Sequence, residues 1–293
     1  MKTINWYPGH MKKTRELIEE HLKLVDVVLE ICDARIPVSS RNPILAEITK
    51  GKPRVIILNK NDLADESATK DWIRFLCKAE ESEKILTVAE INALSGKGVK
   101  ELLRILEKTS ADPEAVSGKT GIPLRLMVIG VPNSGKSSLI NRLTGRRAAQ
   151  VGDRPGVTRG KQWLTLKNGM QLLDTPGILW PKFEDQKVGL HLAFCGSIRD
   201  EIMDTTELGM ELIRLLFHKY PDSLKQRYGI DESELEIDMD EALAVMEGIA
   251  KNRGFILQGA RIDYERTART VLDEFRSGKL GRITLEFCQL TAE

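Results

Sequence analysis

The sequence predicts a doubly wound, mostly parallel α/β sheet over residues 1–179, followed by a smaller, mostly α-helical domain over 180–293. Three observations predict it. Short apolar runs alternate with helically spaced segments through the first part, the pattern of a sheet covered by helices on both faces. A glycine-rich loop ending in Lys-Ser joins one such run to one such helix. After Pro181 the apolar runs give way to helical stripes, and the charge balance reverses from 29 Lys+Arg against 21 Asp+Glu up to Leu179 to 15 against 22 beyond it, which marks two parts with different surfaces.

The elements follow in order. Residues 11–24 are spaced as a helix. Residues 25–32 (VDVVLEIC) form a strand ending at Asp33-Ala34-Arg35, residues 54–58 (RVIIL) a second ending at Asn59-Lys60, and residues 86–91 a weaker third. Residues 98–108 place Val99, Leu102, Leu103 and Leu106 on one helical face. Residues 109–121, rich in Ser, Asp, Pro, Gly and Lys, read as a linker. Residues 124–129 (LRLMVI) are the clearest strand, and residues 137–143 continue as a helix. Residues 162–166 and 170–173 make a hairpin around Lys167-Asn168-Gly169. In the second part, residues 188–198, 206–218, 240–251 and 264–275 are helical by spacing, and residues 282–287 are a strand or an extended tail.

Composition narrows the class. With 293 residues, 41% of them hydrophobic and 30% charged, the chain has enough apolar mass for a core and a solvated surface. No apolar run reaches the ~18 residues of a membrane span, and the N-terminal residues lack the pattern of a secretory signal. Cysteines at 32, 77, 195 and 288 form no CxxC and read as reduced, buried thiols. The expectation is a cytoplasmic monomer without membrane attachment. A sequence pI near 7.6 falls short of the basic signature of a nucleic-acid binder.

The chemistry lies in a set of loops, each following a strand. Gly130-Val131-Pro132-Asn133-Ser134-Gly135-Lys136-Ser137 satisfies GxxxxGK[ST] between a strand and a helix, the setting a phosphate-binding loop requires. Its backbone N–H groups and the helix N-terminus face phosphate. Lys136 neutralises β/γ-phosphate charge, Ser137 ligates Mg²⁺, and Gly130, Asn133, Ser134, Gly135 and Ser138 complete the nucleotide contacts. Asp174-Thr175-Pro176-Gly177 ends the last strand of the sheet; Asp174 is placed to hold the metal and the Gly177 amide to approach the γ-phosphate. Thr158 lies between these motifs in a Gly- and Pro-rich stretch suited to ordering with nucleotide state, and its hydroxyl is a further Mg²⁺ ligand and a catalytic candidate.

Asn59-Lys60-Asn61-Asp62 follows a buried strand. An ionised, buried Asp62 accepts two hydrogen bonds from guanine N1–H and N2–H₂; adenine has no such donor pair, so the motif selects GTP over ATP. Lys60 is expected along the base plane, and Asn59 to tie this loop to the phosphate loop. Asn92-Ala93-Leu94-Ser95-Gly96-Lys97-Gly98 offers the Ala93 N–H to guanine O6, or is simply a helix start. An ATP-using kinase or ATPase with a chance NKxD is the competing reading.

The motif order is unusual. Conventional GTPases run phosphate loop, switch Thr, DxxG, NKxD, then the Ala-bearing loop; here the last two come first. With Trp6-Tyr7-Pro8-Gly9-His10-Met11, Asp33-Ala34-Arg35-Ile36-Pro37, Ser40-Arg41-Asn42-Pro43, Asp174-Thr175-Pro176-Gly177-Ile178-Leu179-Trp180-Pro181, Tyr220-Pro221 and Arg227-Tyr228-Gly229, the chain resembles the circularly permuted GTPases of the ribosome biogenesis GTPase A (YlqF-type) family over essentially its whole length. Permutation is permissible because domain termini usually lie close together. It makes the chain run from DxxG straight into the helical domain, so movement at Gly177 is passed covalently to residues from Trp180 onward.

The resemblance implies a GTPase acting late in assembly of the large ribosomal subunit, with rRNA and ribosomal proteins as partners and hydrolysis stimulated by the particle. It implies Mg²⁺, and K⁺ at Asn133. The position after DxxG is Ile178, which cannot orient water as Gln does in many GTPases. The resemblance puts His10 in that role, whereas the residues alone read it as a helix start. Ser134 departs from the family pattern, where Val is expected, and is predicted to alter packing or phosphate contacts modestly. The helical domain resembles the family's RNA-binding domain, and Lys251, Arg253, Arg261, Arg266, Arg269, Arg276, Lys279 and Arg282 are either its basic face or ordinary solvated positions. A regulatory GTP switch acting on a protein partner is the alternative function.

Overall fold

A computed structural model of the chain describes residues 11–78, 84–112, 122–145, 163–173, 175, 185–198, 200, 203–231 and 240–288. The chain divides into two compact units, Met1–Val188 with Thr284–Glu293, and Gly189–Ile283. The sequence division at 179/180 therefore lies nine residues ahead of the division in space, and the last residues of the chain return to the first unit.

The first unit is built on a six-stranded sheet. Its strands are β1 (Val27–Asp33), β2 (Arg54–Asn59), β3 (Ile85–Glu90), β4 (Arg125–Ile129), β5 (Trp163–Thr165) and β6 (Gln171–Leu173), in the spatial order β3-β2-β1-β4-β6-β5. Every neighbouring pair is parallel except the β5–β6 hairpin. Counted from the phosphate-loop strand β4 as first, the order reads 2-3-1-4-5-6, so the permuted chain builds an ordinary doubly wound sheet. The order reverses between β1 and β4. Loops leaving their C-terminal ends diverge there, the crevice where such folds bind ligands.

Strand burial accounts for the apolar runs. Every residue of β1 and β2 is buried, as expected where helices cover both sheet faces. Val27, Leu29 and Ile31 meet Val55 and Ile57 on one face, beneath α4 (Val99–Ala111) and α5 (Lys136–Thr144). On the other face, Val28 packs with Ile18 and Leu22 of α1 (Met11–Leu22) and Leu45 of α2 (Pro43–Ile48). Cys32 there packs with Ile56, Leu58 and Trp72 of α3 (Glu66–Lys78). Glu30 interrupts this face as a buried carboxylate, held by Arg54 at 3.1 Å and Arg41 at 3.2 Å.

Some boundaries differ from the sequence reading. The segment read as a linker begins as helix: α4 runs through Ala111, and the buried Thr109 hydroxyl bonds the Ile105 carbonyl. Its remainder, 113–121, lies outside the described residues. All four cysteines are free, but only Cys32 and Cys195 are buried; Cys77 and Cys288 are partly exposed at the rim of the α3 cluster.

The second unit carries the end of α6 (Gln186–Phe194), then α7 (Thr205–Lys219), α8 (Pro221–Tyr228), α9 (Glu241–Arg253) and α10 (Tyr264–Arg276), with a short hairpin of β7 (Ile256–Leu257) and β8 (Arg261–Ile262). Helix α6 stops four residues before the expected end because Gly196 adopts φ +72°. The Ser197 N–H then bonds Leu192 O, and the Gly196 N–H bonds Ala193 O, a Schellman closure. Leu208, Leu212, Ile213 and Leu216 of α7 form the expected apolar stripe. Gly209 allows α7 to approach α10, because a Cβ there would lie 2.5 Å from the Ala268 Cβ. Gly209→Ala should therefore lower stability by roughly 1 kcal/mol or more in urea denaturation, overpacking outweighing the gain of about 1 kcal/mol in helix propensity.

Candidate functional site

The phosphate loop leaves β4 at Ile129 and enters α5 at Lys136. Its shape depends on residues that tolerate left-handed backbone. Asn133 has φ +56° and Gly135, the N-cap of α5, φ +101°, a region Gly enters freely and Asn more readily than most residues. A Cβ at Gly135 would stand 2.1 Å from the Asn59 Nδ2. Lys136 folds back over the loop, its buried ammonium donating to Gly130 O at 3.1 Å and Val131 O at 2.6 Å. Ser137 and Ser138 occupy the first turn of α5, half-buried. Ser134 is fully buried and its Oγ donates to Val131 O at 2.9 Å. The hydroxyl at this departure from the family pattern is spent on an internal loop bond.

Asn59 ends β2 and is buried. Its Nδ2 donates to Ser134 O at 2.8 Å and its Oδ1 accepts the Ala93 N–H at 2.9 Å. One carboxamide thus joins the phosphate loop, the NKxD loop and the Ala-bearing loop, as the sequence anticipated for the first two. The Ala93 amide, expected to face a base O6, is instead bonded to Asn59. The same loop is gripped from α5: Arg142 Nε donates to Ala93 O at 3.3 Å and its Nη2 to Leu94 O.

Lys60 has φ +61°, and its ammonium pairs with Asp33 Oδ2 at 2.9 Å rather than lying free beside a base. Parallel pairing sets Asp33 opposite Asn59, so the side chains at the two strand ends are neighbours. Arg35 takes the rest of the Asp33 carboxylate, with Nε to Oδ1 at 3.0 Å, Nη2 to Oδ2 at 2.8 Å and its own backbone N–H to Oδ1 at 3.1 Å. Burial works to raise the Asp33 pKa, but Arg35 and Lys60 together hold it well below the usual carboxylate range. Asp62 stands exposed at the turn, not buried as expected, because it sits at the tip of the loop beyond the end of β2.

His10, Thr158, Asp174 and Gly177 lie outside the described residues, as does Ile178. Thr175, beside Asp174, is buried and its hydroxyl donates to Val128 O, fastening the end of β6 to β4. No cluster of three or more His, Cys, Asp or Glu stands ready for a metal among the described residues, and none of their helices is long and apolar enough to cross a membrane. In the second unit, Arg276 is drawn inward to Asp200 and to the Phe194 and Ala193 carbonyls. Arg253 lies over Tyr228 and pairs with Glu274. Both are thus committed to internal contacts.

The family model described as "50S ribosome-binding GTPase" matches residues 125–243. A ribosome biogenesis GTPase A of Bacillus cereus is 45% identical over 286 residues, covering 97% of this chain and 93% of that one. The Priestia megaterium protein of the same name is 42% identical over 288 residues, covering 97% and 96%. The crystal structure of GNP-bound YlqF from T. maritima superposes with a TM-score of 0.63 at 29% identity, covering 94% of this chain and 98% of that one.

Two measurements probe this geometry. Asn59→Ala leaves the Ser134 carbonyl and the Ala93 amide without their partner and should cost about 1–3 kcal/mol in urea denaturation. Asp33, held ionised in the fold, contributes stability that is present above its unfolded pKa of roughly 3.9 and is lost as pH falls toward the lower folded value. The Tm of the parent chain should therefore fall more steeply between pH 5 and pH 2 than that of Asp33→Asn. Parallel profiles would remove Asp33 from the acid response.

Proposed function

This chain belongs to the ribosome biogenesis GTPase A family and is a GTPase, and from that premise we propose that it acts late in assembly of the large ribosomal subunit, with hydrolysis stimulated by the ribosomal particle. The single observation that carries the nucleotide reading is the Asn59 carboxamide, which brings three loops of the GTP motif set into one frame.

Within that frame each residue has a role. Incoming β- and γ-phosphate oxygens replace the Gly130 and Val131 carbonyls as partners of Lys136, an exchange of neutral acceptors for charged ones that favours the bound state. The half-buried Ser137, at the first turn of α5, suits the hydroxyl ligand of Mg²⁺, and Thr158 and Asp174 complete the protein's share of that shell. Mg²⁺ supplies positive charge against the β- and γ-phosphate oxygens. The exposed Asp62 is open to a base: guanine would cover it and offer two donors, and adenine would leave it desolvated and unpaired. Lys60 flanks the same base. Gly177 meets the γ-phosphate and Asn133 takes K⁺. The Ala93 amide supports the site by fixing Asn59, and a guanine O6 would have to share it.

Ile178 leaves the attacking water without a partner in its own loop, so hydrolysis is slow until the particle orders His10 beside it. The helical unit supplies the contact with rRNA and ribosomal protein, and the chain works as a cytoplasmic monomer. GTP turnover measured with purified large and small subunits at fixed K⁺ and Mg²⁺ tests this reading. Strong stimulation by the large subunit alone is expected, and His10→Ala should bind GTP normally while losing most of that stimulation. Full stimulation of the variant would remove His10 from the mechanism. No stimulation of the parent chain would favour a regulatory switch acting on a protein partner.

A further inference from the structure

Residues 284–288 follow directly on Ile283, the last residue of the helical unit, yet pack as part of the first unit. Three consecutive residues there fasten two separate loops. Thr284 Oγ1 accepts the Asp65 N–H at 2.9 Å, just beyond the Asn59–Asp62 motif. Leu285 N–H donates to Arg35 O at 2.9 Å. The Glu286 carboxylate accepts the Val38 N–H at 2.6 Å, the Ser39 N–H at 3.1 Å and the Ser39 hydroxyl, and its backbone carbonyl accepts Trp72 Nε1 at 2.8 Å. Thr284 and Leu285 are fully buried.

The two loops are those leaving β1 and β2. The first, 34–40, is held by the strap through Arg35 O, Val38 and Ser39. The Arg35 side chain grips Asp33, and Asp33 grips Lys60. A continuous set of bonds therefore runs from Glu286 to the lysine of the NKxD motif. We propose that Thr284–Glu286 is a positioning strap for the base side of the nucleotide site, acting through loop 34–40 and Asp33 on Lys60, so that guanine-nucleotide retention depends on the strap being docked. This rests on the reading of Lys60 and Asp62 as base-side residues. Because the strap continues the chain from Ile283, tension on the helical unit reaches it through the backbone. Coupling of this kind is reciprocal: a docked strap that tightens nucleotide binding is itself tightened by nucleotide.

The test uses the full chain with a fluorescent GDP analogue. Glu286→Gln weakens the acceptor while keeping its shape, and Thr284→Val removes the Asp65 contact. Each should speed GDP release by about fivefold or more, the lower end of ordinary coupling between sites. Glu286→Lys combined with Thr284→Val, which sets a cation against the Val38 and Ser39 amides, should release GDP faster still, and Glu286→Asp should recover much of the parent rate. In a Cys77→Ala background, alkylation of Cys288 reports whether the strap is docked, and saturating GDP should slow it by the factor seen in release. A purely structural strap would show no such nucleotide dependence. Unchanged GDP release in the charge-reversed chain, or Cys288 alkylation indifferent to GDP, overturns the proposal. ATP competing as well as GTP in the parent chain overturns the base-side reading on which it rests, a failure visible without any strap variant.

Discussion

One carboxamide organises the first unit. Asn59 has a single donor group and a single acceptor oxygen to offer, and both are committed, to Ser134 O and to the Ala93 N–H. Those partners lie on loops that follow different strands and are separated in sequence by some forty residues. A buried amide side chain in this position has few alternatives, since an unpaired buried polar group costs about 1–3 kcal/mol. The requirement spreads outward. Gly135 must lack a side chain because the Asn59 Nδ2 fills the space its Cβ would take. Gly98 must lack one because Glu90 O stands 2.3 Å from the corresponding point, where the Ala-bearing loop turns into α4. The placement of Lys136 and Ser137 follows from a loop whose closing carbonyl is pinned in this way.

A second constraint is buried charge. Two carboxylates on β1, Glu30 and Asp33, are almost wholly removed from solvent. Each is surrounded by two cations: Arg54 and Arg41 for the first, Arg35 and Lys60 for the second. Such groupings are weak sources of net stability, because desolvation offsets most of the attraction, but losing one member strands the others. They specify rather than strengthen. Glu30 fixes Arg41, at the start of the segment Asn42 caps, and Asp33 fixes the direction in which loop 34–40 leaves the sheet. A hydrophobic substitute at either position would pack but would leave both loops without a heading.

The core of this architecture was legible in the sequence because it rests on local signals. Largely apolar runs of five to eight residues announced β1, β2 and β4, and a glycine-rich loop ending in Lys-Ser between a strand and a helix announced the phosphate loop and α5. The link from Asn59 to the phosphate loop was legible too, since it belongs to a motif. What escaped was decided by contacts between residues distant in the chain. Nothing near Lys60 says that its ammonium is claimed by Asp33, which becomes its neighbour only through strand register. Nothing near Arg142 indicates that it holds the carbonyls of residues 93 and 94. Asp62 was expected to be buried because its chemistry is that of a buried acceptor, but the turn leaves it at the surface. Residues 282–287 read as a strand or a tail by composition, and only the loops they meet give them a place.

The insertion of the helical unit into the first unit also bears on biosynthesis. Synthesis runs from the N-terminus, and domains generally fold as they emerge. All six strands of the sheet leave the ribosome before residue 189, yet the residues that seat loop 34–40 and accept the Asp65 N–H ahead of α3 emerge only after the helical unit has been made. The unit begun first is thus finished last. A nascent chain can pair its strands and shape the phosphate loop while loop 34–40 and the Asp65 amide still lack their final partners, which arrive only behind a complete helical unit. The order of translation thereby makes full assembly of the first unit a late event, reached by chains that already carry the whole helical unit.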